Sequence, residues 1–488
     1  KIIIGGGGGT VNLTGNSTYT GNTEIDNGTL NIAGDISGSS AVYLGNGLNS
    51  DNATLQLSGS GASLGTFQVN TSAGSGTRTI NATAGSHTIS GSSTINRDTA
   101  INASAGSLTF SGSVDLDNAS DYDLNINASG GSVEISGAIV ADTGGSQINK
   151  SGAGTLTISG NNAGSYYMLN IADGTVALNN NNAIGVGYSD KVNFTGSSTL
   201  DVNASAGHSS LGVRAANGVT ATLDVQNGST FSVATLAVIS GTAAFNKTGA
   251  GTMNLTGSSG SFSGGTLNIN QGTVNVSGTL GAGTVNVTGG TLAGDGQVSA
   301  LVIGNGGVLS PGNSPGVIYA GNTTWDNGGT YLWEINDVDA GAGTGWDLLD
   351  ITGTLTINAG FAIDVTSLTL GNVAGNVNDF DGTQDYINTW LIATASGGVT
   401  LNATPSLNLG NFSNPYQTGA WSFSVVGNNV YLNYDYDPLG PPIGGGGGGG
   451  GSAVPEPNVL SFAMLAGLLM ISFRYRLKRN RQTADAVA

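Results

Sequence analysis

The chain of 488 residues contains 84 glycines, 9% charged and 38% hydrophobic residues and no cysteine, with a formal net charge of −18. This length allows two or three domains, with enough apolar residues for a core. The missing cysteine excludes disulfides, a thiol nucleophile and cysteine-ligated zinc, and the acidic balance disfavours nucleic acid, which is bound through basic side chains.

Self-similarity dominates the first 300 residues. One copy runs Gly9-Thr10-Val11-Asn12-Leu13-Thr14-Gly15 and resumes at Asn27-Gly28-Thr29-Leu30-Asn31-Ile32. A second runs from Lys150-Ser151-Gly152-Ala153-Gly154-Thr155-Leu156-Thr157-Ile158 to Asp173-Gly174-Thr175-Val176-Ala177-Leu178. A third runs from Lys247-Thr248-Gly249-Ala250-Gly251-Thr252-Met253-Asn254-Leu255 to Gln271-Gly272-Thr273-Val274-Asn275-Val276. The paired Gly-Thr steps lie 19, 20 and 21 residues apart, at Thr10/Thr29, Thr155/Thr175 and Thr252/Thr273. Within each unit the apolar residues alternate: Leu156 and Ile158 point one way, Thr155 and Thr157 the other, as in a half-buried strand. A strand, a glycine corner and a second strand in about 20 residues make one coil of a parallel β-solenoid. A coil buries its apolar side only by stacking on another. The expected fold is all-β, a right-handed parallel β-helix over residues 1–310. The alternative is an array of Thr/Asn/Gly-rich β-sandwiches, which period-two strands alone do not exclude. The three copies resemble the autotransporter-associated β-strand repeat of secreted bacterial β-helix proteins.

Two acidic groups interrupt this pattern. Asp115, Asp117, Asp121 and Asp123 fall within nine residues, and Asp337, Asp339, Asp347 and Asp350 form the second group. The first is the candidate calcium site, because calcium takes several oxygen ligands from a flexible loop. Neither group has EF-hand or nonapeptide spacing, and a solvated loop is the plainer reading. No other cofactor is expected. A polysaccharide lyase or hydrolase on this scaffold is the enzymatic alternative. It needs paired carboxylates, or a base with cationic neighbours. The cations and histidines of the body are Lys1, Arg78, His87, Arg97, Lys150, Lys191, His208, Arg214 and Lys247. Both histidines sit alone among Thr, Ser and Gly and read as exposed coil residues. The sequence therefore favours a protein without catalytic activity.

Composition shifts at Ser310-Pro311-Gly312-Asn313-Ser314-Pro315-Gly316, a turn-rich hinge, and all five tryptophans follow it. Residues 311–437 are expected to form a compact, Trp-containing β cap. Its strands are placed at 330–335, 348–357, 361–368, 387–395, 421–426 and 430–434, with a hairpin turn at Gly427-Asn428-Asn429. Residues 438–453 form a Pro/Gly linker whose glycine run, Gly444–Gly451, is a flexible tether.

The C-terminal stretch has three parts in fixed order. Val454-Pro455-Glu456-Pro457 is stiff and extended. An uncharged run from Val459 to Phe473 follows, expected as one transmembrane helix. Arg474, Arg476, Lys478, Arg479 and Arg481 then form a basic cluster that holds the cytoplasmic end, with 482–488 as tail. Residues 454–481 resemble the PEP-CTERM sorting signal of exopolysaccharide-producing bacteria. The segments around Pro311–Gly316 and Trp346–Asp350 also look like the C-terminal part of repeat-bearing members of that group. The resemblance implies cleavage at the Pro-Glu-Pro motif by a membrane protease of the exosortase type. It also implies an export signal ahead of Lys1, since Lys1–Ile4 is too short to be one. The expected function is an exported structural or adhesion protein of the cell surface or exopolysaccharide matrix, anchored in the inner membrane as a precursor. A permanently anchored surface protein is the further alternative.

Overall fold

A computed structural model of the chain describes residues 2–5, 7–45, 51–70, 76–116, 122–141, 145–185, 191–382, 387–416 and 419–436. The chain divides into two units, Lys1–Pro438 and Leu439–Ala488. The linker, the Pro-Glu-Pro motif, the apolar run and the basic cluster all lie outside the described residues, as do Asp117 and Asp121. Among the described residues no helix is long and apolar enough to cross a membrane.

The first unit is a parallel β-solenoid. Coils between Ala41 and Ile158 carry three strands, whereas the first two coils carry two. One side is a seven-stranded ladder from Ile2–Ile4 to Ile139–Val140, and the next is an eleven-stranded ladder from Thr10–Leu13 to Thr235–Val238. The third side runs from Ser63–Leu64 through Ser86–Ile89, Thr155–Ile158 and Thr220–Val225 to Val399–Leu401. From Ala206 a nine-stranded ladder ending at Ser406–Asn411 takes the first side's place in chain order. The strands Thr279–Val287 and Gln297–Ile303 bend round the corner between the second and third sides, with a register shift between Leu280 and Thr284.

Register explains the repeat. Thr10 pairs with Thr29, Thr155 with Thr175, and Thr252 with Thr273. The two Gly-Thr units of a copy therefore stack on one side in consecutive coils, and their spacing is the length of a coil. The first copy lies on the second side, the second copy on the third, and the third copy on the nine-stranded ladder. A copy supplies matched strands without filling a coil, so its frame moves freely from side to side.

Period-two alternation fixes the core. Leu156 and Ile158 are fully buried, whereas Thr155 and Thr157 face outward. Inward residues line up in columns, such as His87, Leu108, Val133, Leu156, Val176, Leu200, Leu223, Lys247 and Ile269. Outward asparagines join coils by side-chain bonds: Asn149 donates to Asn125, Asn170 to Asn149 and Asn193 to Asn170, at 2.7–2.9 Å. Coils also touch through glycine corners. A Cβ on Gly137 would lie 1.8 Å from the Gly112 carbonyl oxygen, and one on Gly160 2.0 Å from that of Gly137. The final glycines of Ser111-Gly112, Ser136-Gly137 and Ser159-Gly160 thus permit backbone contact between coils.

The change of composition at Pro311 is not a change of fold. Val308–Pro311 pairs in parallel with Thr291–Gly294, and Val308 and Leu309 pair with Thr330 and Tyr331. The parallel ladders continue through Ala362–Ser367 to Ser406–Asn411. What changes is coil length, which reaches 32 residues between Asp326 and Asn358 and 44 between Asn358 and Asn402. Longer coils enclose more space, and Trp325, Trp333 and Trp390 fill it. Among the described strands, the hairpin Ala420–Val426/Asn429–Asp435 pairs antiparallel, its second strand against Ile387–Ala395. Trp421 stacks on Trp390 at 5.3 Å and on Phe380 at 6.2 Å, fastening the hairpin to the last coil.

Candidate functional site

The cations of the body are the first residues to place, because catalysis on an acidic polymer would need them at the surface. Four are inside. Lys150 takes an inward position between Ile126 and Ile171, and Lys247 one between Leu223 and Ile269. Each ammonium replaces an aliphatic in its column and turns to the corner. Lys150 Nζ donates to the carbonyls of Ser151, Gly152 and Asp173 at 2.9, 2.6 and 3.1 Å. Lys247 Nζ repeats this on Thr248, Gly249 and Gln271 at 2.7, 2.7 and 3.2 Å. Gly152 and Gly249 have φ of +76° and +69°, a left-handed conformation favouring glycine. The Lys-Ser/Thr-Gly-Ala-Gly-Thr step thus builds a corner with its own buried cation.

Lys191 is also buried. It donates to the Ser165 carbonyl at 3.1 Å and lies over the rings of Tyr166 and Tyr167. Burial lowers the ammonium pKa of Lys150, Lys191 and Lys247 to about 8. Arg78 is buried and donates to the carbonyls of Asp51 at 2.5 Å and Thr77 at 3.1 Å. Arg214 remains partly exposed, donating to Asn193 Oδ1 at 3.3 Å.

His87 is not the exposed coil residue expected. It is 1% exposed and shares the inward face with Ile89. Its Nδ1 accepts from the Ala62 amide at 2.9 Å, which leaves Nε2 to donate to the Ala84 carbonyl at 2.6 Å. His208 is partly buried; burial lowers its pKa, with Lys191 adding to the effect.

The acidic groups do not gather. Among the described residues no three His, Cys, Asp or Glu side chains converge to hold a metal ion. Of the first group, Asp115 lies on the strand Val114–Asp115, and Asp123 accepts from the Gln147 amide at 3.0 Å. The other two members are outside the described residues, so the calcium candidate stands half described. The second group is scattered by the fold. Asp350 is on an outward face, and Asp337 accepts from the Asp339 amide at 2.9 Å. Asp347 is fully buried and accepts from the amides of Gly316 and Glu334 at 2.7 and 3.0 Å. Burial raises its pKa, with a further rise from Glu334. The Ser314 hydroxyl donates to Glu334. The structure thus joins the Pro311–Gly316 turn to the Trp346–Asp350 segment, with Asp347 as the tie. A surface depression of about 390 Å³ is lined by Thr175, Ser198, Thr199, Thr220 and Thr222, with Asp173 as its only carboxylate.

Three segments, residues 6–32, 148–178 and 245–276, match the family model described as passenger-associated-transport-repeat. They coincide with the three paired Gly-Thr copies of the sequence. No curated protein matches the chain. The repeats and the solenoid together fit a secreted, autotransporter-like passenger or surface protein.

Proposed function

We propose that the chain is a structural or adhesion protein of the cell surface or exopolysaccharide matrix, delivered by its C-terminal segment and without turnover of its own. The observation that carries this reading is the coincidence of three passenger-type repeats with stacked coils of one solenoid. Support for a non-catalytic role comes from the cations. Arg78, Lys150, Lys191 and Lys247 serve backbone carbonyls inside the coils and are withdrawn from any substrate. The delivery step rests on sequence alone. In the sequence Val454-Pro455-Glu456-Pro457 stands between the glycine run Gly444–Gly451 and the apolar run Val459–Phe473, and an exosortase-type protease cuts there. Cleavage removes the cluster Arg474–Arg481 and releases an acidic body to the surface.

Changing Pro455, Glu456 and Pro457 to Ala tests this in the native host. The expected result is uncut precursor held in the inner membrane, seen as full-length mass in the membrane fraction. Deleting residues 458–488 is expected to give soluble protein that bypasses sorting. Arrival of the triple-alanine protein at the surface in normal amount and at the wild-type mass would contradict the sorting step. A wild-type surface form that keeps its tail would favour permanent anchoring.

A further inference from the structure

Outward positions along the solenoid are mostly Thr, Ser and Asn. One outward column on the later second side departs from this rule. Register aligns Ser258 with Thr279, Thr279 with Gln297, Gln297 with Tyr319, Tyr319 with Asp350 and Asp350 with Thr394. Tyr319 is 42% exposed, the only exposed large aromatic among the described residues. Every other tryptophan, tyrosine and phenylalanine described is at least partly withdrawn into the fold. An aromatic side chain left in water costs hydrophobic free energy that a Thr or Asn there would avoid.

We propose that Gln297, Tyr319, Asp350 and Thr394 form a binding row for a neutral glycan. This deepens the matrix reading above and rests on it. The chemistry of the row is complementary to a sugar. The tyrosine ring offers an apolar face to the C–H side of a pyranose. Gln297 supplies an amide donor and acceptor and Asp350 a carboxylate acceptor, while Thr394, whose hydroxyl donates to Asn429 Oδ1 at 2.9 Å, offers its oxygen as a further acceptor for sugar hydroxyls. Rigid strands hold them at successive spacings of about 4.8 Å, so little ordering is needed on binding. Charge selects the class of glycan. Asp350 adjoins the ring, and residues 1–453 hold 28 Asp and Glu against 7 Lys and Arg. A uronic-acid polymer would be repelled, whereas an uncharged one is not.

The test uses the full chain, purified in a detergent without a sugar headgroup, on native gels containing soluble neutral glucan, mannan, xylan, galactan or alginate. Retardation by at least one neutral polymer and none by alginate is expected. Tyr319→Ala is expected to weaken that retardation about tenfold, the scale of one lost stacking contact. Tyr319→Phe is expected to keep it, because the ring face does the work. The thermal midpoint of both variants is expected to stay within a few degrees of wild type, since the side chain sits on an exposed outward face. Three results would overturn the proposal: no retardation by any neutral polymer, equal retardation by alginate, or undiminished binding by Tyr319→Ala. None depends on sorting, so a failure here is distinct from a failure of the delivery step.

Discussion

Leu156→Asp is expected to abolish cooperative folding of the coils around it. Leu156 is fully buried and stacks between Val133 and Val176 in the inward column. The substitution removes a buried aliphatic and places a carboxylate where no partner faces it. Together these effects are expected to cost about 5 kcal/mol or more. A solenoid is held by nearest-neighbour contacts, so damage in one coil uncouples the coils on its two sides. The thermal transition should therefore fall and split, and hydrogen exchange should accelerate first around 133–178. Thr157→Asn, one residue further and on the outward face, is the control, with a change within about 0.5 kcal/mol. An unchanged midpoint for Leu156→Asp would mean that the inward face is misassigned.

The buried lysines give the second large effect. Lys247→Met keeps an apolar side chain of similar length in the column but removes the donor to Thr248, Gly249 and Gln271. A buried ion pair replaced on both sides by apolar groups is often neutral in cost. Here the partners are backbone carbonyls, which stay and lose their donor. The expected loss is about 2–3 kcal/mol. The same cation makes stability depend on pH. Folding lowers the ammonium pKa from 10.5 to about 8 in both Lys150 and Lys247. Between those values the unfolded chain binds more protons than the folded one, so stability rises with pH across this window. Below pH 8 the full cost of burying the charge is present. Urea midpoints measured at pH 7.5 and 9.5 should therefore increase in wild type. The increase should shrink in Lys150→Met/Lys247→Met, whose midpoints are lower at both pH values. An undiminished increase in the double variant would assign the dependence to other groups.

How much of this was legible in the sequence differs from residue to residue. Alternation placed Leu156 and Ile158 inward correctly because the period is two and the side chains are unambiguous. The same alternation in Ser86-His87-Thr88-Ile89 puts His87 beside Ile89, but its polarity outweighed its position. The third strand of the coils between Ala41 and Ile158 is hard to read in the sequence because it shrinks to two residues at Val114–Asp115 and Ile139–Val140. Lys150 and Lys247 stand at the same place before Gly-Ala-Gly-Thr in two copies, a signal visible in the sequence, but their bonds reach back from the next coil at Asp173 and Gln271. The tryptophans after Pro311 suggested a separate cap, whereas they fill longer coils of the same ladders. Composition reports how large a core is and leaves its topology open. The exposed row at Tyr319 is invisible in the sequence for a different reason, since its successive members are 22–44 residues apart and only register assembles them.

The two Gly-Thr units of one copy lie in register in consecutive coils, and spin labels read that register directly. The chain has no cysteine, so introduced thiols label cleanly. Nitroxide labels at Thr155→Cys and Thr175→Cys occupy neighbouring outward positions, one spacing of about 4.8 Å apart. Labels at Thr155→Cys and Asn246→Cys lie four spacings apart on the same side, about 19 Å. Strong spin–spin broadening in the 155/175 pair, and weak broadening in the 155/246 pair, is the predicted result. A 155/175 spectrum no broader than the sum of its single-labelled proteins would contradict the stack.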